Sequence, residues 1–170
     1  MRRVYFILIL SLVSSCRLIT HGFGHEDSLQ KAEEFLRQER FDEAIAAYHR
    51  HIDFRLSIKN RPEWENPNFY LLMIGDVQLN QGKIEEAIST YQEAEKNGIE
   101  QTFISDRYRS VAAWLEKRDR LKEAVDILSK RRDLDPILID SVLDRLSKEL
   151  VLREDSQSQS FTGGNNNHAK

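Results

Sequence analysis

Residues 68–98, NFYLLMIGDVQLNQGKIEEAISTYQEAEKNG, constrain the fold more tightly than any other part of the chain. Leu71, Ile74, Val77 and Gln78 recur three and four apart, as do Ile84, Ala87, Ile88, Tyr91 and Ala94, so each set lies on one face of a helix. Asn80-Gln81-Gly82 interrupts the period between them. The pattern predicts two short amphipathic helices folded into a hairpin. Gly75 and Ala87 carry almost no side chain, and the expectation is that they face each other where the two helix backbones approach closely.

The second half of this stretch has two further copies. FDEAIAAY contains Ala44-x3-Tyr48, IEEAISTY contains Ala87-x3-Tyr91 and LKEAVDIL contains Ala124-x3-Leu128, at separations of 43 and 37 residues. With Leu71-x2-Ile74-Gly75-x2-Gln78 ahead of the central copy, the pattern resembles the tetratricopeptide unit, W-x2-L-G-x2-Y followed by A-x3-F and a proline, whose period is about 34 residues. The resemblance implies an all-α fold. Three helix hairpins, over about 25–58, 68–101 and 105–138, would stack in a short right-handed superhelix with a capping helix at about 137–153. Insertions of nine residues in the first gap and three in the second would account for the longer spacings.

The chain opens MRRVYFILILSLVSSC: two arginines, an apolar run over 4–13, then small residues, the layout of a secretory signal. An apolar run of that length is too short to span a bilayer as a helix. Val13-Ser14-Ser15-Cys16 resembles a bacterial lipobox, which implies cleavage after residue 15 and lipidation of Cys16, the one cysteine of the chain. A plain secretory signal with an incidental cysteine is the other reading. Arg17 is not the Asp that holds some lipoproteins at the inner membrane, so an outer-membrane anchor facing the periplasm is favoured. Cleavage would remove Arg2 and Arg3 and take the net charge from −3 to −5, a balance that argues against nucleic acid as a partner. Residues 16–24 read as a glycine-bearing tether. His21 within it and His25 just after it lack the third ligand a metal needs.

In the first unit Leu29, Ala32, Phe35 and Leu36 form one stripe, and Ile45, Tyr48 and Ile52 the opposing one. The segment after it, RLSIKNRPEWENP, brackets Trp64 with two prolines and reads as a loop. Trp64 either folds back on the domain or anchors a partner. In the third unit Tyr108, Val111, Ala112 and Leu115 oppose Val125, Ile127 and Leu128. Ile139, Val142, Leu143, Leu146 and Leu150 then give the cap its apolar side. From 154 to 170 almost nothing is apolar, and a disordered tail is expected.

No phosphate loop, H-E-x-x-H, G-x-S-x-G or cysteine pair is present. Adjacent acids such as Glu33-Glu34 diverge on a helix. Neither catalysis, a cofactor nor a small-molecule substrate is therefore expected. By resemblance, the inner surface of the stack is lined by the first helix of each unit: Glu26, Leu29, Glu33 and Leu36; Phe69, Leu72, Asp76 and Asn80; Asp106, Arg109, Ala113 and Glu116. Exposed Phe69 and Leu72 beside carboxylates would suit a peptide or helix of basic character. The chaperone-type carboxylate clamp of some family members needs cations where Asp76 and Asp106 stand, and is not carried over. The expectation is a lipid-anchored adaptor that binds other proteins of the cell envelope. The alternative is a structural lipoprotein that self-associates.

Overall fold

The computed structural model describes residues 27–163. The signal segment, Cys16, the tether, His21 and His25 lie outside them. Every element described is helical, and the chain divides into two compact units, one ending at Arg61 and one beginning at Pro62. No described helix is long and apolar enough to cross a membrane.

Among the described residues the first unit is one hairpin, α1 (Ser28–Arg37) and α2 (Phe41–Ser57). Ala32 of α1 and Ala44, Ala47, Tyr48 and Ile52 of α2 are its buried apolar residues. Three alanines on the contact face let the helices close tightly around one large ring. Ser28, at the start of α1, places its hydroxyl 3.3 Å from Nδ1 of His51, and both side chains are buried. His49, two residues away, is exposed, as the angular spacing along a helix requires.

The second unit starts with a 3-10 turn, Pro67–Phe69, and continues with α3 (Tyr70–Asn80), α4 (Ile84–Lys96), α5 (Gln101–Glu116), α6 (Leu121–Ser129) and α7 (Pro136–Gly163). Helices α3 and α4 form one hairpin and α5 and α6 the next; α3 also packs on α5, and α7 closes the unit against α6 and α5. Because α3 has neighbours on two sides, it buries Leu71, Leu72, Ile74, Gly75, Val77 and Leu79, nearly its whole circumference. Gly75 meets Tyr91, one turn beyond the expected Ala87. A Cβ at Gly75 would stand 2.7 Å from Cδ1 and 2.8 Å from Cζ of that ring, and closer still to Cε1. The fully buried ring of Tyr91 occupies the space the missing side chain leaves.

All three hairpin turns are built alike. The N–H of Arg40 donates to the carbonyl of Phe35 at 2.8 Å, that of Lys83 to Gln78 at 2.9 Å and that of Arg120 to Leu115 at 3.0 Å. Each closes a reverse turn through one residue of positive φ: Glu39 at 57°, Gly82 at 80° and Asp119 at 61°. This is the hydrogen-bond pattern of a helix C-terminus ended by a left-handed residue. The turn residues fall 43 and 37 apart, the same separations as the Ala-x3 motifs, so the repeat frame and the geometry coincide.

Helix α7 begins at Asp135-Pro136: Oδ1 of Asp135 accepts from the N–H of Leu138 at 3.1 Å, and proline suits the first helical position. Ile139 and Leu146 are fully buried. Arg145 binds Glu116, whose carboxyl it holds below its ordinary range by hydrogen bonding, and Arg153 binds Asp119. The sequence led us to expect disorder from 154, but α7 runs on to Gly163. Its packed first turns supply the costly nucleus, and nothing after Pro136 breaks propagation until the Gly163-Gly164 pair. Residues 164–170 of the expected tail lie outside the described chain.

Candidate partner-binding face

Helices α3 and α5 lie side by side in the second unit, and their N-terminal ends carry Phe69 and Phe103. The two rings meet edge to face, centroids 5.3 Å apart and planes at 90°, a favourable geometry for aromatic quadrupoles. Tyr70 adds a second edge contact to Phe69 at 6.5 Å. Phe69 remains 37% exposed and Phe103 38%, so the pair presents apolar surface to water although each ring shields the other.

Leu72 does not share this exposure. The expectation that Phe69 and Leu72 form one solvent-facing row is overturned, because Leu72 is completely buried. A helix with a single neighbour would leave that side open, whereas α3 is covered by both α4 and α5. Phe103 is the residue that the sequence reading missed. Shifting Phe69 by the 37-residue repeat spacing lands on Asp106, and Phe103 stands one turn upstream, within the extra helical turn that the lengthened second gap supplies to α5.

Below the aromatic pair the charges are already matched. Asp76 accepts from the Tyr91 hydroxyl at 2.9 Å and from Nη2 of Arg107 at 3.0 Å, joining α3, α4 and α5. Burial, reinforced by the Asp76 charge and hydrogen bond, pushes the Tyr91 hydroxyl far above its ordinary value, and Arg107 partly opposes this. Tyr91 therefore remains a donor. Asp106 is paired with Arg109 on the same helix. Asp76 and Asp106, expected to attract a basic partner, thus have cations of their own, and Arg109 is committed to Asp106. Asn80 is exposed near the end of α3.

The remaining candidates lie elsewhere. Leu29, half-buried, and Glu33, exposed, belong to α1 of the first unit. Trp64 is 85% exposed, so it does not fold back on the domain. Trp114, in contrast, covers the α3–α4 turn, its ring 3.5 Å from the position of a Cβ on Gly82, with Arg118 stacked above it at 3.5 Å.

No family model and no curated protein matches the chain. Among solved structures it is similar to the TPR2AB domain of yeast Sti1, solved in complex with pHSP90. The TM-score is 0.54 at 21% identity, over 78% of this chain and 50% of that one. The fold is tetratricopeptide-like, in agreement with the Ala-x3 frame and its repeated turns. The chain spans half the length of that structure.

Proposed function

We propose that this chain is a protein-interaction adaptor of the bacterial cell envelope. It binds a peptide or helix of its partner against α3 and α5, and lipid on Cys16 holds it at the membrane. The observation that carries the binding reading is the exposed Phe69–Phe103 pair, a preformed apolar contact above a floor of paired charges. Since those carboxylates are neutralised, the partner is selected by an apolar side chain rather than by basic charge. The likeness in fold to a domain solved with a protein partner supports the same class of ligand here. The signal-like opening and the Val13-Ser14-Ser15-Cys16 sequence support the anchor.

Phe69→Ala combined with Phe103→Ala tests the face. Both rings are partly in water, so helical circular dichroism should persist, with stability reduced by about 1 kcal/mol for the lost ring contact. Affinity for the principal partner, identified by crosslinking in the native envelope, should fall by about 2 kcal/mol or more. Unchanged affinity would place binding elsewhere.

The anchor has a separate test. Cys16→Ser should leave an uncut precursor that takes up no labelled fatty acid. Labelling equal to that of the unsubstituted protein would rule Cys16 out as the acceptor.

A further inference from the structure

The turn before α3 displays the most exposed large apolar side chain on the described surface, and it is not loose. The N–H of Glu65 donates to the carbonyl of Pro62 at 3.0 Å, which puts Glu63 and Trp64 at the two corners of a tight turn. Asn66 fastens the stem. Its Nδ2 donates to the carbonyl of Asn97 at 2.9 Å, its Oδ1 accepts from the N–H of Asn68 at 3.1 Å, and Pro67 beside it is buried. Pro62 and Pro67 fix their own φ and restrict the residues before them. Trp64 therefore projects from a turn whose backbone is already ordered, and docking it costs little additional conformational entropy.

We infer that this turn acts as a ligand in its own right: Trp64 inserts into an apolar slot on a partner protein whose rim carries lysine or arginine. An indole held in water at 85% exposure gains by such burial, and tryptophan is prominent among residues that dominate interfaces. The rim follows from the flank, since Glu63 beside Trp64 is exposed and presents its carboxylate to water. The same carboxylate disfavours the competing occupant, an anionic lipid surface, which would repel it. This contact uses none of the residues of the α3–α5 face, so the two surfaces stand or fall separately.

A photo-reactive benzoylphenylalanine placed at position 64 of the full chain, in the cells that make it, gives the test. Irradiation should yield one protein adduct that is absent when the probe stands at exposed Glu93. A cyclic peptide of residues 58–67 should compete with it, and its alanine counterpart at position 64 should not. With the adduct partner identified and purified, Trp64→Ala should weaken binding by about thirtyfold. Glu63→Gln should weaken it less and reduce its salt dependence, and Phe69→Ala with Phe103→Ala should leave the crosslink in place. No specific adduct, or an affinity unaffected by Trp64→Ala, overturns the inference. Vesicles of phosphatidylethanolamine and phosphatidylglycerol provide the other arm. In Trp114→Phe protein, where Trp64 is the only fluorophore of its kind, they should leave the emission unshifted. A blue shift would assign the turn to the membrane and overturn the protein partner.

Discussion

Gly75→Ala is expected to destabilise the second unit by about 3 kcal/mol, the upper end of what one inserted methyl costs in a packed interior. The new Cβ would overlap the Tyr91 ring, with three ring carbons inside ordinary contact distance, so either the ring or helix α3 must move. The ring is poorly placed to yield. It is fully buried, and its hydroxyl is bonded to Asp76, which in turn holds Arg107. Trp114 fluorescence in a denaturant titration reads the effect, since that ring packs on the α3–α4 turn while Trp64 is already in water. Tyr91→Leu alone should also destabilise, through lost volume and a lost hydrogen bond. The double substitution should cost less than the sum of the two, with a coupling of about 1 kcal/mol or more. Strict additivity would mean that Gly75 is glycine for a reason other than this ring.

Arg131→Met is expected to cost about 2 kcal/mol. The guanidinium donates to both carboxylate oxygens of Glu95, at 2.8 and 2.9 Å, and to the Tyr108 hydroxyl at 2.9 Å, with its centre 4.7 Å from that ring's centroid. It thus ties the end of α4 to α5 from the segment after α6. The side chain of Arg131 is 15% exposed and that of Glu95 29%, so removing the cation strands a half-buried carboxylate. Loss of one partner from a fully buried pair costs about 3–5 kcal/mol, and partial access of water to Glu95 places this site below that range. Lysine should restore less than half, because a single ammonium does not reproduce the fork that reaches Glu95 and Tyr108 together. Arg132→Met is the control. Its pair with Asp140 lies at the surface, the two side chains 65% and 41% exposed, and its loss should leave the midpoint nearly unchanged. A chemical-denaturation midpoint with unchanged slope separates these cases.

The hairpins were legible in the sequence because helical period and turn residues are local properties. The Ala-x3 frame placed Tyr48, Tyr91 and Leu128 on inner faces, where Tyr48, Tyr91 and Leu128 are indeed buried. What was not legible depends on how one hairpin meets the next. Leu72 reads as outward only if α3 has one neighbour, and period alone does not count neighbours. Gly75 was assigned to Ala87 on backbone spacing, whereas the side chain large enough to fill its space lies one turn further along. The ionic ties Asp76–Arg107 and Glu95–Arg131 join residues 31 and 36 apart, beyond the reach of any local pattern. Phe103 was concealed by the lengthened gap, since a shift by the 37-residue spacing of the Ala-x3 motifs passes over the extra turn it creates, whereas the 34-residue family period leads from Phe69 straight to it.

The three matching hairpin turns also determine where this chain tolerates a change of length. In each, the hydrogen bond back to the preceding helix and the single residue of positive φ fix how the second helix leaves the turn. One residue added inside such a turn, or in the helix after it, rotates everything downstream by about 100° and carries the buried alanine and its ring out of register. Residues added between Ser57 and Pro62 meet no such constraint, because no helix crosses that segment. The longer first spacing, 43 against 37, includes this segment, and the three residues that 37 adds to the 34-residue period enter as a near-complete turn at the N-terminal end of α5, upstream of its hairpin turn.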